Sequence, residues 1–353
     1  MERVSYKGKP IYIGIDVHKK QWSVSIYTQE VHHKTFSQPP QPESLKNYLD
    51  HHFPEAVVHC AYEASKFGFW IHRVFETYGY NSLVVNPADI PTTNKETTEK
   101  TDPIDSRKIA KSLRGGLLTG IHIPSEETEG MRQLFRYRKK LWADFVRIKN
   151  RIKDKLLFSG ITIPSQWDNP YWSKAFLNWL AEVDFPSSST RLTLDFLLEQ
   201  YEFTYRHFLK VSIEVRKLQK RTALKKKANL LRGIPGIGPL TTIELLTEIE
   251  DIDRFPSFKH FNSYIGLRPR THSSGERDYK GRMTYRTHGH LRASLIECAW
   301  TSIQRDPAMT LAYEEFRKRL TPKRSIVKIA RKLLSRIYHV LKTEEEYELG
   351  VVR

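Results

Sequence analysis

Cysteine is nearly absent from this chain, with Cys60 and Cys298 its two examples in 353 residues. So few, so far apart, they exclude a disulfide framework, and neither has a partner at the short spacing of zinc ligands. Cys60 sits in the apolar run "AVVHCAYE", where a buried thiol in a reducing compartment is expected. Long apolar runs are also missing. None approaches the ~20 residues that cross a bilayer, and the opening "MERVSYKGKP" has no apolar signal core. The expectation is a soluble, cytoplasmic protein with no membrane partner. Internal repeats and low-complexity segments are lacking too, which excludes a solenoid. Negative charge is scarce: 40 Asp and Glu stand against 58 Lys and Arg, a net charge of +18. Such an excess points to a polyanionic partner, DNA or RNA first, with a merely solvated basic surface as the alternative. Aromatic residues, at 12%, suit base stacking as well as core packing.

What is present divides into three segments: 1–158, 159–227 and 228–353. "IYIGIDVHKKQWSVSIYTQ" reads as two strands, with Ile11, Ile13 and Ile15 alternating into Asp16 and Trp22, Val24 and Ile26 alternating after it. "SLKNYLDHHF" reads as a helix, "AVVHCAYE" as a strand ending at Glu63, "FGFWIHRVFETYG" as a helix, "NSLVVNP" as a strand and "DPIDSRKIAKSLRGG" as a helix. The residues around Pro40 read as a loop. Alternating strands and helices predict an α/β domain. Glu126 to Phe158 predicts a strongly basic helix carrying Arg132, Arg136, Lys139, Lys140, Arg147, Lys149 and Arg151. A long helix follows from Leu192 to about Lys227. Leu194, Leu198, Tyr201, Tyr205 and Phe208 form a coiled-coil-like seam, open to an antiparallel or an intermolecular partner or to a plain bundle. The last segment is mainly helical. "LLRGIPGIGPLTTIELLTEI" resembles a helix-hairpin-helix element in which Gly236 and Gly238 leave backbone N–H groups for a phosphate. "SSG" reads as a loop, and "SIVKIARKLLSRIYHVL" as a closing amphipathic helix.

Asp16 and Glu63 end strands, and Asp102 and Asp105 share one face at a helix start. In an α/β fold such positions can converge. Hard oxygen donors suit Mg²⁺, and carboxylate-held metals serve phosphoryl transfer. Each acid also has an ordinary structural role open to it, Asp102 and Asp105 as residues favoured at a helix N-terminus. His18, His288 and His290 have no third ligand at zinc-like spacing and read as nucleic-acid or core contacts. In "PRTHSSGERD" two serines lie between Arg270 and Arg277 with no base beside them. Chemistry alone does not separate Ser273 from Ser274, nor either from a polar turn.

"IGIDVHKK", "YEAS", "VNPA" and "KTDPIDSRKIA" resemble the Asp-Glu-Asp-Asp domain of a bacterial insertion-sequence transposase family. "LLRGIPGIGPLTTIELL", "FNSYIGLRPRTHSSGE" and "HLRASLI" are similar to that family's C-terminal domain. The resemblance implies a RuvC-like (RNase H-like) first domain, a coiled-coil-like arm and a C-terminal transposase domain. It implies Asp16, Glu63, Asp102 and Asp105 as metal ligands for Mg²⁺, with Mn²⁺ as a substitute, and Ser274 as nucleophile. It further implies a structured bridge RNA that pairs with donor and target DNA, a covalent 5′-phosphoserine, a Holliday junction, and dimers assembling to a tetramer that acts on the nucleoid. Arg270, Arg277, Arg286 and Arg292 would hold phosphates, and Arg147, Lys149 and Arg151 the RNA. The chain departs from the family at "TYRTHGHLR", where a Lys-Arg-Gly-Asn-like run is common, and at "SKFG" after Glu63, where a Thr-Gly pair is common. Two other functions use the same features: a metal-dependent junction nuclease that hydrolyses DNA, which would not need Ser274, and a non-enzymatic nucleic-acid-binding protein, which would leave the four acids without a role.

Overall fold

The computed structural model describes residues 5–91, 101–274, 277–283 and 287–350, with backbone alone over 269–283. By contacts the chain forms two units, Met1–Ile123 and Pro124–Arg353.

The first unit is a five-stranded mixed sheet: β1 (Pro10–Val17), β2 (Trp22–Tyr27), β3 (His32–Gln38), β4 (Val57–Glu63) and β5 (Asn81–Val85), in the order β3-β2-β1-β4-β5. β1 runs antiparallel to β2 and parallel to β4, β2 antiparallel to β3, and β4 parallel to β5. Ile11, Ile13, Ile15, Trp22, Val24 and Ile26 face one side and are closed over by α1 (Pro42–His52) and α2 (Trp70–Thr77) through Leu45, Leu49, Ile71 and Phe75. Cys60 lies in this core, where burial pushes its thiol up to about 12, as a structural cysteine would have it. Strand β3 falls where the sequence predicts no element. It is an edge strand with His32, His33 and Lys34 exposed, so it lacks the apolar alternation that announces a strand.

The opposite face carries small residues, and this sets the site. Helix α3 (Asp102–Arg114) lies against β1, β2 and β4. A Cβ on Gly14 would stand 2.1 Å from the Ser106 carbonyl oxygen and 2.3 Å from the Ala110 nitrogen, so only glycine allows the helix so close to β1. The buried Ser106 hydroxyl meets those of Ser23 at 3.0 Å and Ser25 at 2.9 Å, which satisfies polar atoms in a contact too tight for larger side chains.

Among the described residues, the regular elements of the second unit are helices and one hairpin. Helix α4 (Glu126–Phe158) has 33 residues, about 50 Å by the helical rise. It starts on Ser125, whose hydroxyl accepts from the Thr128 amide, and has Glu126, Glu127 and Glu129 in its first turn. α5 (Lys174–Glu182) packs Phe176 and Leu180 beside it, and the tryptophan-rich stretch before it joins that core through Trp167 and Trp172. The predicted single helix from Leu192 to Lys227 is two, α6 (Ser188–Leu218) and α7 (Thr222–Gly233). The seam of α6 closes on α4 of the same chain: Tyr201 stacks near Phe145, Phe208 lies near Trp142, and Arg138 donates to Ser212. These pairings run in opposite senses along the two helices, so they are antiparallel.

α8 (Pro239–Ile249), α9 (Phe258–Ile265), α10 (Gly289–Arg305), α11 (Pro307–Arg317) and α12 (Pro322–Thr343) enclose the remaining core, with Leu245, Phe261, Leu295, Ile329 and Leu333 at its centre. Residues predicted as a loop at "SSG" begin instead in a two-stranded antiparallel hairpin, β6 (Pro269–Ser274) with β7 (Arg277–Met283). Its sequence is too polar to show the period-two pattern of a strand.

Candidate metal centre and nucleic-acid contacts

Strand direction places the first two acids. Asp16 is at the C-terminal end of β1, on the Gly14 face. β4 runs parallel beside it with Ile15 opposite Tyr62, so Glu63 ends its strand as the neighbour of Asp16. The close approach at Gly14 brings the first turn of α3 over the same strand ends. Asp16, Glu63, Asp102 and Asp105 thereby line one cavity of about 510 Å³, together with His18, Lys66 and Phe67. Carboxylates in the first turn of α3 also complement the helix dipole, which gives Asp102 and Asp105 a local reason to be there.

The cluster is electrostatically costly without a cation. Burial, then the like charges of Asp102, Asp105 and Glu63, push the Asp16 carboxyl up to about 6, against the opposing pull of His18. Lys108 stands 3.6 Å from Asp105. The His18 Nδ1 is 3.4 Å from Asp16 and 3.9 Å from Asp102. One ligand atom each from Asp16, His18 and Asp102 lies within 4.8 Å of the others. That is within reach of one ion, and hard oxygens plus one imidazole suit a divalent cation. His18 thus stands, half exposed, beside the acidic cluster, which rules out the core contact that was one of the two roles expected from the sequence. Its signal was present: it lies two residues beyond Asp16, just past the end of the same strand.

The serine and the expected phosphate contacts lie in the second unit. Ser274 is the last residue of β6 and pairs with Arg277, as Ser273 pairs with Asp278. The side chains of Arg270, Ser274 and Arg277, and all of Arg286, lie outside the described residues. Arg292 donates to the Gly266 carbonyl at 3.4 Å and to the Thr287 hydroxyl at 3.2 Å, across the neck of the hairpin. Gly236, with φ +94°, has the Cys298 carbonyl oxygen 2.4 Å from where a Cβ would be, so it serves the packing of α10 against the turn. Gly238 has open space beside it at the start of α8.

Much of the basic charge of α4 is engaged inside the fold. Glu244 and Glu248 on α8 are 3% and 6% exposed. Arg136 grips Glu248 through two hydrogen bonds of 2.8 Å, Arg132 donates to the Thr247 carbonyl at 2.8 and 3.0 Å, and Lys139 pairs with Glu244. Ser294 also donates to Glu244, at 2.6 Å. Lys149 donates to the Pro170 carbonyl at 2.6 Å and lies 4.8 Å from the Trp172 ring, where burial and then Lys153 hold its ammonium below the usual lysine range. Arg147, paired with Asp144, and Arg151 are exposed. Of the three residues expected to hold RNA, Lys149 thus has a structural use.

Residues 13–159 match the DEDD transposase family and residues 228–314 the transposase IS116/IS110/IS902 family. The y4rJ protein of Sinorhizobium fredii is 30% identical over 80% of this chain and 76% of its own length. The chain belongs to the IS116/IS110/IS902 transposase family. The y4qE protein of the same organism is 27% identical over 69% of this chain, a match that spans 58% of that relative's length. The transposase for insertion sequence element IS1533 of Leptospira borgpetersenii is 25% identical over 83% of this chain and 85% of its own. All four clustered carboxylates fall within the first matched family segment, and Ser274 falls within the second. No helix among the described residues of this family member is long and apolar enough to cross a membrane.

Proposed function

We propose that this chain is an insertion-sequence recombinase that cuts and rejoins DNA with a divalent metal held by Asp16, Glu63, Asp102 and Asp105. The observation that carries the reading is the convergence of those four acids, distant in sequence, on one cavity. The donor set fits the group: burial first, and then the neighbouring carboxylates, raise the Asp16 pKa, and a bound cation would offset both. Mg²⁺, or Mn²⁺ in its place, supplies Lewis acidity and neutralises phosphate charge when bound. The strand order β3-β2-β1-β4-β5 supports a RuvC-like reading of the first unit.

Ser274 is the proposed nucleophile. Its oxygen attacks the scissile phosphorus, the bond to the 3′ oxygen breaks, and a 5′-phosphoserine forms. The hydroxyl proton passes to water, and the leaving 3′ oxygen takes one up. A 3′ hydroxyl of the exchanging strand then attacks the same phosphorus and releases the serine, so the number of phosphodiester bonds is conserved and no external energy source is needed. Arg270, Arg277 and Arg286 would hold phosphate oxygens near that serine. Donor and target DNA would be chosen by pairing with a structured bridge RNA, held in part by Arg147 and Arg151. The net charge of +18 supports polyanionic partners. The cluster and the serine belong to different units of the chain, and the reading includes dimers pairing to a tetramer in which one subunit's carboxylates serve another's serine. The division into segments 1–158, 159–227 and 228–353 belongs to the same proposal.

The test is a covalent-adduct assay with the chain expressed beside its element's flanking DNA, so that any guide RNA is supplied. Labelled junction DNA and Mg²⁺ should give a protein–DNA band on a denaturing gel that maps to Ser274. Asp16→Ala and Ser274→Ala should each abolish it. Cleavage that persists in Ser274→Ala with no adduct would replace this reading with a hydrolytic junction nuclease.

A further inference from the structure

Helix α12 is amphipathic: Ile326, Ile329, Leu333, Ile337 and Val340 are buried, and its opposite side is exposed and basic. Between Phe316 and Thr343 the sequence contains no acidic residue. Arg324, Lys328, Arg331 and Lys332 fall on the outward side within about two turns, since positions three and four apart share a helix face. Among the described residues these four form no ion pair. Lys328 lies 5.6 Å from the Phe316 ring, a contact that orients the ammonium without neutralising it. Some exposed basic side chains of the same unit do have acidic neighbours: Lys318 and Arg319 pair with Glu315, Lys342 with Asp253 and Lys226 with Glu344.

The placement also works against stability. Lys323 and Arg324 lie in the first turn of α12, where the helix dipole favours acids, and that turn has none. α3 and α4 show the favourable arrangement, with Asp102 and Asp105, and with Glu126, Glu127 and Glu129. Cations crowded without counter-charges at a positive helix end repel one another by ordinary electrostatics. Such an arrangement is relieved by an external row of negative charge.

We infer that the Arg324–Lys328–Arg331–Lys332 ridge of α12 is a docking surface for the phosphate backbone of duplex DNA. This rests on the reading of the chain as a DNA recombinase. A straight helix presents cations at about 6 Å intervals for residues four apart, on a rod fixed by the core beneath it. That regularity suits the repeating phosphates of a duplex more than the irregular backbone of a folded RNA. The contacts are to backbone, so they position DNA and carry no sequence preference.

The experiment compares the full-length protein with Arg324→Gln/Lys328→Gln/Arg331→Gln in binding a 30-base-pair duplex of random sequence and, separately, a folded hairpin RNA, from 50 to 300 mM salt. The variant should bind the duplex on the order of 100-fold more weakly at 0.1 M salt. Its plot of log affinity against log salt should be shallower by about 3, near one per lost phosphate contact. Hairpin RNA binding should change little. Arg324→Lys/Arg331→Lys, which keeps the charge, should bind duplex as the parent does, and a parent-like thermal midpoint for the triple variant excludes simple unfolding. An unchanged salt slope on duplex, or a loss confined to the hairpin RNA, would overturn the assignment. A parent protein that fails to bind duplex at all would count against the recombinase reading itself.

Discussion

Two groups of acidic side chains in this chain meet opposite fates. On α8, Glu244 and Glu248 are buried, and each has a cation brought to it from α4, Arg136 in a two-bond grip and Lys139 in a direct pair. At the ends of β1 and β4 and the start of α3, four acids share a cavity also lined by His18 and Lys66, with Lys108 beside Asp105. A fold that can neutralise two buried glutamates on one helix leaves the other group under repulsion. The first group locks two helices together. The second stores electrostatic strain that an exogenous cation would relieve, at the expense of the metal-free protein's stability.

The sharpest way to break the contrast is Asp16→Asn. Strand exchange should fall on the order of 10³-fold or more, since a ligand and its charge are both lost. The metal-free protein should become more stable at neutral pH, by about 1–2 kcal/mol. The sign follows from the raised pKa. Folded Asp16 holds its proton up to about 6, above the unfolded value, so its contribution to stability is present at low pH and is lost as pH rises through that value. Thermal melts from pH 4 to 7.5 should show this fall in the parent and a smaller one in the variant. A destabilised Asp16→Asn would mean the carboxylate is satisfied within the fold.

Glu248→Ala should do the reverse. It leaves Arg132 and Arg136 without their partner where α4 meets α8, and urea unfolding should show a loss of about 3 kcal/mol. A near-neutral result would place these glutamates with the first unit's acids as groups the fold does not need. The smallest effect belongs to His18→Gln. If the imidazole joins the carboxylates around the ion, affinity for Mn²⁺, followed by its electron paramagnetic resonance, should fall about tenfold, with little change in stability. Unchanged Mn²⁺ affinity would confine the site to oxygen donors.

The legibility of these features in the sequence varied for physical reasons. Asp16 and Glu63 were readable because the first closes an apolar alternation and the second ends an apolar run, which put both at strand ends. Strand β3 was not, because an edge strand with exposed His32, His33 and Lys34 carries no apolar signal. The hairpin holding Ser274 was hidden by a polar, glycine-containing sequence that reads as turn. The basic residues of α4 read as a nucleic-acid face because charge counts do not show partners. Their partners were nonetheless announced by Glu244 and Glu248, two acids four apart in the otherwise apolar "TIELLTEI". His18 was set aside by a test for zinc spacing, which a mixed oxygen–nitrogen site does not need to pass.

The close packing of α3 on Gly14 also sets a schedule. β1 leaves the ribosome early, but Asp102 and Asp105 follow it by nearly ninety residues, about 4–18 s at ordinary rates of synthesis. Until α3 docks, Asp16 and Glu63 have no second pair of carboxylates beside them. The repulsion in the finished cavity therefore arises only when α3 docks on the sheet. A nascent chain that ends before α3 cannot form the four-acid cavity, so the capacity to hold a cation in this way waits on that helix.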